Sequence, residues 1–344
     1  MLAALSYDKK DIRVENIQIP SINENEVLIK IEKAGICGTD VRIYQNGLGD
    51  NKLNVLGHEF SGKIEKVGGN IKKFKKGMRV TANPNMGCGT CDFCISGNFH
   101  MCRDYYALGV QINGSFSEYL RIPEAFIENG NLIEIPEKVS FESAALVEPL
   151  SCVYNGITHT GVKPGDATLI IGAGPIGLMF AKLAVLMGSS TVIISNRSTA
   201  RLELAKEVNP NWIAVQSDKL KNTVSEVTNG KGVDVCIVAA SSPSAQKQAL
   251  ENIGVFGRIN FFGGLPKDSE NITINSNDFH YKQINLTGTT KSNNMHFRKS
   301  MELIEKDAIN VKELITSQYS IQEFNKALEN SIESKGLKTI ISFN

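Results

Sequence analysis

Short runs of alternating apolar and polar residues dominate the first part of the chain. Residues 27–31, 60–67 and 116–122 are alternating or rich in β-branched side chains, and glycine, asparagine and proline separate such runs. A period of two bounded by turn-forming residues is typical of strands with one buried face. Residues 1 to about 147 are therefore predicted to form a β-rich, barrel-like domain.

A different pattern begins near residue 166, where strand-sized and helix-sized apolar runs alternate. The predicted strands are 168–171, 191–194, 233–240 and 258–262, and the predicted helices are 178–187 and 199–208. Continuous apolar runs of this length are typical of strands buried on both faces. The alternation favours a doubly wound parallel sheet, so the fold class is α/β.

The tail of the chain is too short for a domain of its own. It contains two amphipathic segments, 297–306 and 321–334, and a final strand at 338–343. We expect this tail to return to the first domain. The predicted division is 1–147 with 288–344 for one domain and 148–287 for the other.

Composition narrows the class of protein. Charged residues make up 21% of the 344 residues and the net charge is +1, so the chain has no electrostatic footprint for nucleic acid or an acidic membrane surface. No apolar run approaches the roughly 18 residues that a transmembrane helix needs. The first residues show no basic segment followed by a long apolar run, so we expect a cytoplasmic location.

Four cysteines lie close together in the first domain. Cys88, Cys91, Cys94 and Cys102 follow the pattern C-x2-C-x2-C-x7-C. Four thiolates at this spacing are typical of a closed, tetrahedral structural zinc site, with a disulfide pair as the less favoured alternative. Residues 85–105, here called the four-cysteine lobe, are predicted to hold this zinc.

A second set of metal-binding residue types is spread over three turns. Cys37 lies in G-I-C-G-T-D, His58 and Glu59 lie in G-H-E-F-S-G, and Glu148 lies in V-E-P-L-S-C. A catalytic zinc typically has three protein ligands and one open position. Glu148, at the expected junction of the two domains, either ligates the metal or contacts it through water. The alternative is that each of these residues belongs to the core.

A dinucleotide-binding loop follows the first strand of the second domain. Gly172, Gly174 and Gly177 form G-x-G-x-x-G with Pro175 and Ile176 inside it. The glycines allow a tight turn, close approach of the backbone to a pyrophosphate, and close packing of helix on strand.

The end of the second strand predicts the cofactor. An acidic residue at this position would bind the ribose hydroxyls of NAD, but the chain has Ser195, Asn196 and Arg197, with Arg201 one turn later. Arg197 can pair with a 2′-phosphate, so NADP(H) is predicted to be preferred over NAD(H). The alternative is a solvated Arg197 and an enzyme that uses either cofactor.

Together these motifs resemble the zinc-dependent medium-chain dehydrogenase/reductases, nearest to the polyol branch with sorbitol- and galactitol-phosphate-type members. The segment G-H-E-F-S-G at 57–62, the four-cysteine lobe and the loop at 172–177 match in order and spacing. The resemblance implies a GroES-like catalytic domain, a Rossmann cofactor domain, two zinc ions per chain and a dimer or tetramer.

The resemblance also implies roles for individual residues. Cys37, His58 and Glu59 would hold the catalytic zinc, with Glu148 as the carboxylate that polyol dehydrogenases place beside it. Thr39 would pass the substrate proton outward. The implied reaction interconverts a secondary alcohol of a polyol, or polyol phosphate, and a ketose.

The chain departs from these relatives at the substrate residues. Arg42 stands where many have histidine, and it is interpreted as a ligand for an anionic group such as a phosphate, with Tyr44 as a further pocket residue. Sorbitol-type relatives have an arginine in the last part of the chain, for which Lys291 and Ser292 are the nearest candidates. The polar segment 46–53 favours polyols.

Other functions stay open at this point. A threonine-type and a cinnamyl-type alcohol dehydrogenase are alternatives to the polyol hypothesis. A zinc-free quinone reductase is less favoured, because both sets of zinc ligands are present. A non-catalytic NADP(H)-binding sensor on the same scaffold is a more distant alternative, which a metal count and a turnover assay would separate from an enzyme.

Overall fold

The computed structural model describes residues 1–47 and 54–343. Most of the polar segment 46–53 lies outside the described residues, and its bearing on the substrate stays a prediction. Two compact units are present, one formed by Met1–Ser151 with Lys291–Asn344 and the other by Cys152–Thr290. The predicted boundaries were 147/148 and 287/288.

The first unit is built mainly from short strands. Its strands before the second unit are β1 Leu2–Asp8, β2 Asp11–Asn16, β3 Val27–Gly35, β4 Glu59–Val67, β5 Arg79–Ala82, β6 Asn85–Met86, β7 Tyr106–Ala107, β8 Tyr119–Ile122 and β9 Leu132–Glu134. Its helices here are α1 Gly38–Asn46, α2 Asp92–Ile95, α3 Glu124–Glu128 and α4 Phe141–Ala145, and α5 Val147–Thr160 runs on into the second unit.

The second unit alternates strands and helices. Its strands are β10 Ala167–Ile171, β11 Thr191–Asn196, β12 Ile213–Gln216, β13 Val233–Val238, β14 Ile253–Phe261 and β15 Asn285–Gly288. Its helices are α6 Pro175–Leu186, α7 Thr199–Val208, α8 Leu220–Val227, α9 Pro243–Asn252 and α10 Ser276–Lys282. The chain then returns to the first unit with α11 Asn294–Glu305, β16 Ile315–Ser320, α12 Phe324–Ile332 and β17 Lys338–Ser342.

All six strands of the second unit form one parallel sheet in the order β12-β11-β10-β13-β14-β15. The order reverses beside β10, and the glycine loop leaves the carboxyl end of that strand. This is the topological switch point at which doubly wound sheets bind their ligands. The predicted doubly wound sheet is confirmed.

The first unit contains a seven-stranded sheet with the path β16-β17-β3-β4-β5-β9, and β8 pairs with β3. The final strand β17 is antiparallel to β3, with Ile340 opposite Gly35, so the tail completes this sheet. A core of buried side chains lies against it, including Phe60, Phe116 and Phe324. The prediction of a GroES-like β-rich unit and a Rossmann unit is confirmed.

Several element bounds differ from the sequence prediction, including that of β14, which begins at Ile253 and not at residue 258. The segment 321–334 is a 3-10 turn, Ile321–Glu323, followed by α12, because Ser320 and Glu323 form a capping box at its start. Strand 116–122 begins only at Tyr119. Among the described residues, no helix combines the length and apolarity that crossing a membrane requires.

Candidate metal centres and cofactor site

The structure brings the four cysteines of the four-cysteine lobe together between β6 and β7. The sulfur of Cys91 lies 3.5 Å from that of Cys94 and 3.7 Å from that of Cys102, and Cys88 lies 3.9 Å from Cys94. Four sulfurs bound to one zinc at about 2.3 Å are about 3.8 Å apart. A disulfide needs about 2.05 Å. The arrangement therefore fits a tetrahedral zinc site, and all four cysteines are free.

Backbone amides support negative charge on this cluster. The amide of Cys91 donates to the sulfur of Cys88 at 3.4 Å, and the amide of Cys88 donates to that of Cys102 at 3.4 Å. Hydrogen bonds from Thr90 lower the pKa of Cys88 to about 6, whereas burial raises the pKa of Cys94 to about 12. The protein alone thus favours the thiolate form of Cys88 but not that of Cys94. A bound divalent cation would favour the thiolate form of both.

A second cluster, here called the mixed-ligand cluster, consists of Cys37, His58 and Glu59. One ligand atom from each lies within 4.8 Å of the other two. Cys37 caps the N-terminus of α1, where its sulfur accepts from the Thr39 amide at 3.5 Å. Glu59 opens β4 and is fully buried, and His58 is 6% exposed. Thiolate, imidazole and carboxylate in one buried place fit a zinc ion.

Asp40 lies next to this cluster, and the sequence prediction missed it. Its Oδ2 accepts from the Cys37 amide at 2.8 Å, and its Oδ1 lies 3.5 Å from Nδ1 of His58. Burial opposes protonation of His58, but the charges of Asp40 and Cys37 outweigh it and raise the His58 pKa well above its usual value. A carboxylate behind a histidine ligand orients its ring. The missed signal was the acidic residue three positions after Cys37, at the third position of helix α1.

Lys338 is the second residue that the sequence prediction missed. Its ammonium group donates to Oε1 of Glu59 at 2.6 Å, and both side chains are buried. Burial lowers the Lys338 pKa, but the charges of Glu59, Cys37 and Glu148 outweigh it, so the pKa is raised. The missed signal was a lysine at the start of the otherwise apolar run 338–343.

Glu148 lies in the first turn of α5 and is 8% exposed. It is not among the three residues whose ligand atoms cluster within 4.8 Å in the part of the chain that the structure describes. Its negative charge, like that of Glu59, raises the pKa of Lys338.

The predicted substrate residues occupy different surroundings. Thr39 is half-buried in the first turn of α1, and Arg42 is exposed on the same helix. Tyr44 packs against the hydrophobic core of the first unit. Lys291 donates to the backbone oxygen of His100 in the four-cysteine lobe at 2.9 Å, and Ser292 is fully buried.

The glycine loop links β10 to α6. Gly172 has φ +116°, and its amide donates to the Ser195 oxygen at 2.8 Å. A Cβ at Gly177 would lie 1.8 Å from the Gly172 oxygen, whereas a Cβ at Gly174 would meet no protein atom within 4 Å. Gly174 caps α6, and Pro175 and Ile176 form its first turn. Open space before a helix N-terminus is what a bound pyrophosphate requires.

A cavity of about 80 Å³ lies at the carboxyl end of β11, and we call it the ribose pocket. It is lined by Ile171, Gly172, Ser195, Asn196, Arg197, Ser217, Ala240, Ser242, Ser244, Ala245 and Gln248. None of the described residues that line this pocket has a carboxylate side chain. The hydroxyl of Ser195 is fully buried and has no protein partner among the described residues.

The two arginines among the predicted cofactor residues at this end of β11 have different surroundings. Arg197 is exposed at the rim, while Nη1 of Arg201 is buried without a protein partner in the described chain, and burial lowers its pKa. Asn196 accepts from the Ala173 amide at 3.5 Å, which ties it to the glycine loop. The sequence prediction missed Ser217, Ser242 and Ser244, because they follow other strands.

Comparison with known proteins places the chain in a family. The alcohol dehydrogenase GroES-like domain matches residues 23–137, and the zinc-binding dehydrogenase domain matches residues 175–306. A sorbitol dehydrogenase from Bacillus subtilis (strain 168) is 33% identical over 341 residues, covering 97% of this chain and 94% of that protein. The chain belongs to the zinc-dependent alcohol dehydrogenase family.

Two further similarities come from this family. An L-threonine 3-dehydrogenase from Bacillus licheniformis is 34% identical over 322 residues, covering 92% of this chain and 90% of that protein. A crystal structure of a zinc-binding dehydrogenase from Sinorhizobium meliloti 1021 bound to NADP has a TM-score of 0.90 at 28% identity, with 99% of each chain covered. This zinc-dependent alcohol dehydrogenase is therefore an oxidoreductase for a small-molecule alcohol.

Proposed function

We propose that this dehydrogenase interconverts a secondary alcohol of a polyol, or of a polyol phosphate, and the corresponding ketose, with hydride transfer to NADP+. The observation that carries the proposal is Glu148, a nearly buried carboxylate whose charge, like that of Glu59, raises the pKa of Lys338. A carboxylate-rich site suits a substrate with several hydroxyl groups, because carboxylates accept hydrogen bonds from them. The similarity to a sorbitol dehydrogenase supports the same substrate class.

The residues of the chain divide the chemistry among them. Cys37, His58 and a carboxylate would hold a zinc ion, which would supply a Lewis acid that lowers the pKa of the substrate hydroxyl. Asp40 holds the His58 ring in place. Thr39 takes the hydroxyl proton and passes it outward. The glycine loop would hold the dinucleotide, whose nicotinamide would accept the hydride of the carbinol carbon.

Substrate recognition is assigned to α1. Arg42 follows Thr39 on this helix and is exposed, so its guanidinium group is available for an anionic substituent of the substrate. A planar guanidinium pairs well with phosphate, which supports a polyol phosphate. Tyr44 and Lys291 have protein contacts that favour structural roles.

The proposed preference for NADP+ is supported by the ribose pocket. Its hydroxyl groups and Arg197 can donate hydrogen bonds to a 2′-phosphate, and its described lining has no carboxylate to repel one. The buried Ser195 hydroxyl would gain a partner there.

The first experiment measures initial rates with NADP+ and NAD+ on free polyols, polyol phosphates and L-threonine, using zinc-replete protein. The expected result is turnover of a polyol or polyol phosphate that is faster with NADP+. Turnover of L-threonine alone would replace the polyol proposal with the second candidate, which the similarity to L-threonine 3-dehydrogenases favours. Rates with neither class would refute both.

The cofactor proposal has its own test. Arg197→Ala should raise KM for NADP+ by roughly 10- to 100-fold, because a charge-assisted hydrogen bond contributes about 1.5–3 kcal/mol, and should leave KM for NAD+ nearly unchanged. Lys206→Ala removes an exposed cation further along α7 and serves as the matched control. Equal effects of Arg197→Ala on both cofactors would contradict the preference.

Two zinc ions per chain are proposed, one in each cysteine-containing cluster. Elemental analysis should find two zinc ions per chain, one of which remains in Cys37→Ser. The dimer or tetramer stays a prediction, which light scattering tests.

A further inference from the structure

Lys291 connects the four-cysteine lobe to the chain that follows the second unit. Its ammonium group donates to the His100 oxygen at 2.9 Å and lies 3.6 Å from the centre of the Tyr105 ring. His100 lies in the 3-10 turn just before Cys102, and Tyr105 lies just after it. All of these residues belong to the first unit.

The backbone of this connection is unusual. Lys291 has φ +58°, a left-handed conformation that residues other than glycine adopt rarely. Such a conformation persists where surrounding contacts hold it. The next residue, Ser292, accepts from Asn85 Nδ2 at 3.0 Å through its backbone oxygen, and the Tyr105 hydroxyl donates to Asn85 Oδ1 at 2.6 Å. Contacts with Asn85 and Tyr105, at the two ends of the four-cysteine lobe, therefore hold residues 291 and 292 in place.

The hydroxyl of Ser292 continues the connection to helix α5. It lies 2.7 Å from the hydroxyl of Ser151, which in turn donates to the backbone oxygen of Glu148 at 2.6 Å. Because Ser151 uses its only hydrogen on that oxygen, Ser292 must donate to Ser151. Both serines are fully buried. A continuous set of polar contacts thus runs from the four-cysteine lobe to the turn that carries Glu148.

We propose that the four-cysteine lobe positions the Glu148 turn for catalysis, with Lys291 and Ser292 as the positioning residues. This inference rests on the proposed catalytic role of Glu148. A lobe closed by four thiolates around one metal is rigid, and catalytic groups must be held to within about 0.5 Å by well-supported neighbours. The lobe therefore contributes to turnover without touching the substrate.

The test compares Lys291→Met with Lys291→Arg. The methionine variant should lower kcat roughly 10- to 100-fold, the effect of displacing a reacting group by about 1 Å, with KM for NADP+ unchanged. Arginine can donate to the His100 oxygen and stack on Tyr105, so it should restore most of kcat. Lys326→Met, at an exposed lysine on α12, is the matched control and should keep wild-type kcat.

A spectroscopic measurement reports on the site without turnover. Cobalt(II) is exchanged into the mixed-ligand cluster while zinc is kept in the four-cysteine lobe, and the visible spectrum is recorded. Lys291→Met and Ser292→Ala should both shift this spectrum, because both disconnect the Glu148 turn from the lobe. Lys291→Gly separates the side chain from the backbone, because glycine adopts positive φ freely; it should show the same shift.

Three outcomes would overturn the inference. The first is wild-type kcat and spectrum in Lys291→Met. The second is a Lys291→Met protein that loses the metal of the four-cysteine lobe while Ser292→Ala keeps the wild-type spectrum. The third is full activity in Lys291→Gly. If the wild type turns over no polyol, the proposed substrate fails, and the cobalt spectra still decide the positioning role.

Discussion

Lys338 determines the charge balance of the mixed-ligand cluster. It is the buried partner of Glu59, and it also interacts with the charges of Cys37 and Glu148. A buried carboxylate that is paired in this way cannot be removed alone without leaving a buried cation. Loss of activity in Glu59→Ala would therefore mix a lost metal contact with a damaged fold.

Lys338→Met should lower the free energy of unfolding by about 3–5 kcal/mol, because it leaves Glu59 buried without its partner. The double variant Glu59→Gln with Lys338→Met removes both charges and should recover most of the loss. Urea denaturation of both proteins checks this. A double variant as unstable as the single one would show that the pair is not what stabilises this region.

Asp40→Asn should weaken zinc binding in the mixed-ligand cluster about 10- to 100-fold, because the carboxylate that orients His58 is lost. Competition with a chromogenic chelator measures this affinity. The zinc of the four-cysteine lobe provides an internal control and should be released as in the wild type. Unchanged affinity at both sites would exclude an orienting role for Asp40.

At the scale of elements, the link between β10 and α6 shows why the glycines of one loop are not equivalent. Gly177 lies against the Gly172 oxygen, whereas Gly174 faces open space. The first is therefore required for packing of helix on strand, and the open space at the second is proposed to admit the cofactor. Substitutions at the two glycines should therefore have separate effects on protein stability and on cofactor binding.

Gly177→Ala should lower the melting temperature and cofactor affinity together, because its Cβ would lie 1.8 Å from the Gly172 oxygen. Gly174→Ala should change the unfolding free energy by no more than about 0.5 kcal/mol, as at an open surface position, yet weaken NADP(H) binding. Thermal unfolding and NADPH fluorescence titration measure the two effects. A Gly174→Ala protein that binds normally would contradict the assignment of this space to the pyrophosphate.

At the scale of the whole molecule, six of the seven cysteines fall into three kinds of environment. Four form the four-cysteine lobe, Cys37 belongs to the mixed-ligand cluster, and Cys236 is fully buried in the second unit, where burial raises its pKa strongly. Their reactivity therefore reports separately on the two metal sites and on global unfolding.

Strong chelation should expose the thiols of the four-cysteine lobe to a thiol reagent, while Cys236 stays unreactive until the second unit unfolds. Cys91→Ser should mainly destabilise the protein, whereas Cys37→Ser should abolish turnover and leave the fold intact. Thiol titration with and without urea, followed by activity assays, checks both statements. Equal residual activity in the two variants would contradict the division of roles.

The sequence by itself determined the two groups of candidate metal ligands, the glycine loop and the change from a β-rich to a Rossmann pattern. These features are local, since spacing over a few residues already places thiolates or glycines together. The tertiary structure decided which distant residues pair with each other in and around these sites. Glu59 meets Lys338 across 279 positions, and Ser151 meets Ser292 across 141. No local period encodes such pairs, because their contact depends on how the strands β4 and β17, and the ends of α5 and α11, come together in the folded chain.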